Sequence, residues 1–185
     1  MEDSEEYILP NVSYTEDGNL YYNAYVAPVS PNVVVVYDVY DISTEAKILS
    51  SYSIGLFSSM IVDGVEMEVD MYHQFDAVGE HTIEFVMFDP TTLNDTHPWY
   101  SIIGNGVNII SITIPPSITT ISNNAFAYIG NNNVDTYYII FTSDICPSCN
   151  RPFYGIDSNL VFKYPNNADY SELINSNPDL TFVAY

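Results

Sequence analysis

Few residues of this chain have types and spacings that bear on chemistry. Cys146 and Cys149 form a C-x-x-C within "DICPSCN", a spacing used by zinc sites and by thiol–disulfide exchange. A zinc site needs four ligands, and the chain has no second C-x-x-C and no paired histidines. His73, His81 and His97 are scattered through the other half. A thioredoxin-like role wants a strand before the motif and a helix opening at it, whereas Pro147 and Pro152 predict a turn. The two cysteines read as a structural pair in a turn, free or disulfide-bonded, with redox and metal roles as the alternatives.

Glu66, Glu68 and Asp70 alternate with Met67, Val69 and Met71, which predicts three carboxylates on one face of one strand. A cation site or an acid–base pair is one reading. The solvated face of a sheet is the reading expected in so acidic a chain. His81 follows Glu80 after a glycine turn and opens a strand. With no nucleophile at a recognisable spacing, it reads as polar surface. The sequence holds no G-x-S-x-G, H-E-x-x-H, Walker or dinucleotide fingerprint. No catalytic, cofactor-binding or metal residue is assigned, no cofactor is expected, and the chain reads as non-enzymatic.

The elements that hold these residues are predicted to be strands. The chain has 185 residues, 47% hydrophobic and 15% aromatic, enough to bury a core as one domain or two small ones. Residues 1–30 mix acids with Tyr7, Tyr14, Tyr21, Tyr22 and Tyr25 between Pro10, Asp17-Gly18 and Pro28. They read as an arm with at most short extended pieces, such as 20–26. Residues 31–90 follow a period of two, with turns at Asp63-Gly64 and Val78-Gly79, as expected for a β-sandwich. Residues 91–106 are rich in breakers and read as a connector. Trp99, the one tryptophan, reads as the cover of a seam between two domains, with a binding anchor as the alternative.

Residues 107–185 read as a repeat. A shift of 27 brings Ile112 onto Ile139, Ile114 onto Phe141, Ile118 onto Ile145 and Phe126 onto Phe153. A further 23 brings Ile139 onto Phe162 and Phe141 onto Tyr164. Each unit is predicted to be a short strand, a turn, a second apolar ladder and an inward Phe. Such units bury their faces only by stacking, and the preceding β-domain is expected to cap one end.

"ITIPPSITTISNNAF" resembles the BspA-like leucine-rich repeat, and "SNLVFKYPNNADYSELI" resembles that family's closing strand, proline and short helix. "FSSMIVDGVEMEVDMYHQFDAVGEHTIEFVMFDPT" is similar to the small β-domain that often precedes these repeats in gut Bacteroidales and their phages. The resemblance covers about residues 30–185. It implies a mainly β chain, an Ig-like β-sandwich followed by a short leucine-rich-repeat solenoid with a C-terminal cap, and attachment or adhesion in place of catalysis.

The 24 acidic and 3 basic residues give a net charge of -21. Lys47, Lys163 and Arg151 cannot neutralise a phosphate backbone, which excludes nucleic acid as a partner and disfavours an anionic membrane surface. No apolar stretch spans a bilayer, and no secretory leader follows the acidic start, so synthesis in a cytoplasm is expected. The resulting expectation is a bacteriophage virion component, a head decoration or fibre subunit exposed on the virion surface. Its arm would contact capsid or tail proteins within an oligomeric assembly, and its repeat domain would face a host surface glycan or protein. The alternative is a bacterial cell-surface adhesin module. The binding residues are unknown.

Overall fold

The computed structural model describes residues 31–93, 98–99, 106–122, 124–129, 135–149, 152–156 and 159–185, and by backbone alone 12–14 and 20–22. The rest of the arm expected over 1–30, together with His97 and Tyr100, lies outside the described residues.

Runs of alternating β-branched and aromatic residues form the strands, as that pattern dictates. Before the breaker-rich segment lie β1 (Val12–Tyr14), β2 (Leu20–Tyr22), β3 (Val33–Val39), β4 (Ala46–Lys47), β5 (Phe57–Val62), β6 (Val65–Met67), β7 (Tyr72–His73) and β8 (Gly79–Met87). Then come β9 (Thr92–Leu93), β10 (Val107–Ile114), β11 (Thr120–Ile121), β12 (Tyr137–Phe141), β13 (Ser148–Cys149) and β14 (Leu160–Tyr164). One helical segment, α1 (Ser171–Ser176), and β15 (Thr181–Ala184) close the chain. The protein is mainly β.

Eight strands make one sheet in the order β15-β14-β12-β10-β3-β8-β5-β6. Its two halves differ in direction: β10, β12, β14 and β15 run parallel, whereas β10, β3, β8, β5 and β6 pair antiparallel. The sheet therefore continues across residues 91–106. β9, β11 and β13 form a second, parallel ladder, and β4 pairs with β7.

The pairing registers carry the core. Val62, Ile83, Val35, Ile112, Ile139, Phe162 and Phe182 stand opposite one another across seven strands. All but Phe182 are buried, and Phe182 packs against the same cluster. Each such side chain stabilises the fold by about 1.5–3 kcal/mol relative to exposure. The offset of 27 that aligns Ile112 with Ile139 in the sequence is the register in which β10 and β12 pair. The offset of 23 from Ile139 to Phe162 is that of β12 and β14.

Two tight turns hold the antiparallel half. Asp63 (φ 47°) and Gly64 (φ 85°) make the two-residue connection between β5 and β6, whose left-handed backbone suits the Asp-Gly pair. Gly106 (φ 82°) opens β10, and its carbonyl accepts from the amides of Tyr40 at 2.8 Å and Asp41 at 3.2 Å. A Cβ there would collide with the Asp41 carbonyl oxygen, so this junction of the two halves requires glycine.

Trp99 is fully buried and stacks on Phe126 at 5.9 Å, and Phe126 stacks on Phe153 at 5.9 Å. On the other side Trp99 meets Phe85 edge-on at 6.5 Å. Trp99 precedes Phe126 by the same 27 residues that separate Phe126 from Phe153. The second ladder runs on an offset of 28: Leu93, Ile121 and Cys149 stand side by side. Thus segment 91–106 supplies both a strand and an aromatic ring to the stack.

Three expectations are corrected. Ile145 is not the buried equivalent of Ile118: it is 79% exposed, whereas Ile118 is 1% exposed. On the offset of 28, Ile118 corresponds to Cys146, which packs against the core. Phe153 is only half-buried while Phe126 is buried, so the two are not equivalent inward sites. Finally, β6 ends at Met67, so of the three alternating carboxylates only Glu66 lies in a strand. The exposed–half-buried alternation continues beyond it through Glu68 and Asp70.

Replacing Phe126 with alanine should cost about 3–5 kcal/mol, the range for emptying a buried aromatic site. The Phe153→Ala change should cost less, and Glu66→Gln should fall within about 0.5 kcal/mol of the parent. Chemical denaturation of the three variants reads this order directly, and equal small effects would mean that the aromatic column does not support the fold.

Candidate functional site

A concavity lies between the turn that carries the two cysteines and α1. It is a cavity of about 500 Å³ lined by Cys146, Cys149, Asp169, Glu172, Leu173 and Asn177, among others. Cys149 is placed by β13, which pairs with β11, and residue 145 bridges to 169. α1 contributes Glu172 toward solvent and buries Leu173. Hydrogen bonds from the Ser171 hydroxyl and then from its amide, the latter at 3.0 Å, hold the Asp169 carboxyl below the usual range. Asn177 donates its side-chain amide to the Leu173 carbonyl at 2.8 Å and so closes the helix.

Both cysteines are free. Burial, then the nearby Glu172 and Asp169 carboxylates, push the Cys146 thiol up to about 11. Burial, then Cys146, pushes Cys149 up to about 12. Both thiols lie within donating distance of the Pro147 carbonyl, 3.5 Å for Cys146 and 3.3 Å for Cys149. A reactive or metal-binding cysteine needs a depressed pKa, and this pair has the opposite. In the ladder, Cys149 stands where the neighbouring strands carry Ile121 and Leu93, which makes it a small apolar filler. Among the described residues, no group of three or more His, Cys, Asp or Glu side chains is arranged to hold a metal ion.

His81 is only 8% exposed and is not polar surface as expected. Its Nδ1 lies 2.6 Å from Asp63 Oδ2 and its Nε2 lies 3.0 Å from the Ala77 carbonyl. Both neighbours are acceptors, so only the imidazolium donates to both. Asp63 also accepts from the Thr82 amide at 2.8 Å. Phe75 fills the space between His81 and His73, with ring centroids 4.7 Å from each. The cluster pins the β5–β6 turn to the start of β8. Neither ring nitrogen of His81 is left for a substrate.

No spacing in the sequence signals that Asp169 and Glu172 meet the cysteines, since only the closing part of the fold brings them together. Glu66, Glu68 and Asp70 are not joined to this cavity. β6 is the opposite edge of the sheet from β15. The Asp63–His81 pair was readable only as two separate facts, a hairpin turn and a strand start.

Among the described residues, no helix is long and apolar enough to cross a membrane.

Two predictions follow from these geometries. In the folded protein at neutral pH, Cys146 and Cys149 should resist alkylation by iodoacetamide and react readily in denaturant. Replacing both with serine should cost no more than a few kcal/mol. Stoichiometric zinc lost on that substitution would overturn the structural assignment.

The second prediction concerns pH. Burial lowers the His81 pKa, but the hydrogen bonds to Asp63 and Ala77 and the charges of Asp63 and Asp76 outweigh it and leave a net rise. The stability it contributes is full below its ordinary value of 6.5 and is lost as the pH rises through the raised one. Asp63 also feels burial upward, but the Thr82 amide and His81 lower it overall, so its share is lost only as the pH falls through that lowered value. His73, lowered by burial, acts in the opposite sense and costs stability below 6.5. Raising the pH from about 6 to about 9 should therefore lower the urea midpoint of the parent more than that of Asp63→Asn, in which asparagine tolerates the left-handed turn. Parallel pH profiles for the two proteins would refute the pairing.

Comparison of the chain with protein-family models, with curated proteins and with solved structures returned no match.

Proposed function

We propose that this chain is a non-enzymatic structural and surface-interaction protein, a β-rich binding domain displayed on a bacteriophage virion as a head decoration or fibre subunit. The observation that carries the reading is the stack of parallel units: strands paired at offsets of 27 and 23, with the second ladder at 28. Stacking of short units side by side builds extended surfaces used for recognition. The Trp99–Phe126–Phe153 column gives that stack a continuous core. This arrangement supports a short BspA-like leucine-rich-repeat solenoid. The antiparallel strands of residues 31–90 would form an Ig-like cap at one end of it. The candidate chemistry supports a non-catalytic role: the two thiols are held protonated and both nitrogens of His81 are engaged.

Assembly contacts to capsid or tail proteins are proposed to run through residues 1–30, and the repeat surface would meet a host glycan or protein. The net charge of -21 supports protein or glycan partners over nucleic acid. The same repeat motif favours a second reading, a bacterial cell-surface adhesin module.

Peptides of this chain should be recovered by mass spectrometry from purified phage particles at structural abundance and be absent from host outer-membrane fractions. Recovery from the membrane fraction alone would replace the virion reading with the adhesin one.

A further inference from the structure

The eight-stranded sheet ends in two edges of different character. At one edge lies β6, where Glu66 sits within the strand and Glu68 and Asp70 follow it. Charged side chains on an edge strand keep other strands away. At the other edge lies β15, where residues 180–185 read "LTFVAY", with no charged residue and no proline. Val183 is 44% exposed there and Tyr185 51%. An edge of uncharged β-branched and aromatic residues is a template for one more strand.

The backbone of β15 is set for such a strand. The Tyr185 amide donates to the Tyr164 carbonyl at 3.0 Å, and the Tyr185 carbonyl accepts from the Asn166 amide at 2.9 Å. Both groups of Tyr185 thus face the β14 side. Residues of a parallel strand alternate in the neighbour that they face, so Thr181 and Val183 also face β14, while the N–H and C=O of Phe182 and Ala184 face outward. Among the described residues, no strand pairs with that outer side. The strand is held in place as well: the Tyr185 hydroxyl donates to the Phe141 carbonyl at 3.0 Å, and the Phe182 ring stacks on Phe162 at 4.9 Å.

We infer that β15 pairs antiparallel with β15 of a second copy of this chain, about a two-fold axis at Val183. Two observations select this occupant. The first is symmetry: the outward residues Phe182 and Ala184 flank Val183, so the axis sets Phe182 opposite the partner's Ala184 and Ala184 opposite the partner's Phe182. Each of these pairs exchanges two hydrogen bonds, which satisfies every outward group of Phe182 and Ala184 in both strands. A large side chain then meets a small one on the core side, and on the other side Val183 meets its own copy and Thr181 meets the partner's Tyr185. The second is charge. The nearest acid along the strand is Asp179, four residues from the axis. Antiparallel pairing therefore holds the two copies of Asp179 about 27 Å apart, well beyond the screening length of about 8 Å. The same symmetry applied to β6 would set Glu66 against Glu66, which repels. Such a contact closes at two copies. An edge pair of this length buries less than the about 1,200 Å² of a stable interface, so the dimer depends on concentration. The inference stands apart from the virion reading.

Sedimentation equilibrium of the wild-type chain from about 10 μM to about 1 mM tests it. The mean mass should rise from that of the monomer toward twice that value and no further. Ala184→Pro removes an outward N–H and no ladder bond to β14, so it should hold the protein at monomer mass across the range with an unchanged denaturation midpoint. Val183→Cys should give a dimer linked from 183 to 183 on oxidation with glutathione disulfide, identified by peptide mass spectrometry, because side chains of a non-hydrogen-bonded antiparallel pair approach most closely. Val65→Cys, on the exposed β6 edge, should give none. A monomer mass across the whole range would overturn the inference. Self-association that survives Ala184→Pro would overturn it in favour of another surface, and links from 183 to 65 in a mixture of the two cysteine variants would overturn it in favour of head-to-tail pairing of the two edges.

Discussion

The fold depends on one row of inward side chains. Val62, Ile83, Val35, Ile112, Ile139 and Phe162 lie shoulder to shoulder across six strands, and the row passes from the antiparallel half to the parallel half without a break. Pairing period in a strand is two, so a slip of one residue anywhere would turn an entire strand's apolar set outward. The junction at β3 and β10 has the least freedom. There a bulge shifts the register between Ile109 and Ser111, and Gly106 lies against Asp41 where no side chain fits. Everything on the parallel side inherits its register from this contact.

The sequence disclosed the parallel part unusually well because its signal is long-range and arithmetic. Ile112 with Ile139, and Ile139 with Phe162, are pairs found by sliding the chain along itself, and they are the pairs that hydrogen-bonded neighbours make. What escaped that arithmetic has a physical cause. The second unit has one more residue between its two ladders, from Ile139 to Cys149, than the first has from Ile112 to Ile121, so the offset is 27 on one side and 28 on the other. A single offset therefore matched Ile118 to Ile145, which points to solvent, and passed over Cys146. Trp99 was hidden for a different reason. Its surroundings are breakers with no period, yet the ring falls one offset before Phe126 and joins the same column.

The site was less legible than the fold, because its properties arise from environment and not from residue type. C-x-x-C is a pattern of chemistry only where charge or a helix terminus stabilises thiolate. Here burial, and then Glu172 and Asp169 from a segment more than twenty residues away, act on Cys146 in the opposite direction. His81 shows the converse. A histidine at the start of a strand looks like surface until the Asp63 turn, itself required by the hairpin, places a carboxylate against it.

These two clusters share a logic that bears on function. Each uses a residue type associated with reactivity to fill or fasten a place where stacked units meet irregular chain. The cysteines take the positions that Ile118 and Ile121 fill one unit earlier and pack against the core beside the cavity at α1. The histidine clamps the turn of the antiparallel half to β8. In both, the polar atoms are spent on neighbours of the same chain, so neither cluster supports chemistry, and under the proposed function recognition would fall to exposed faces. The net charge of -21 surrounds those faces with a negative field, so under the proposed reading a partner that docked there would have to be cationic or neutral, and docking of a cationic one would weaken with salt.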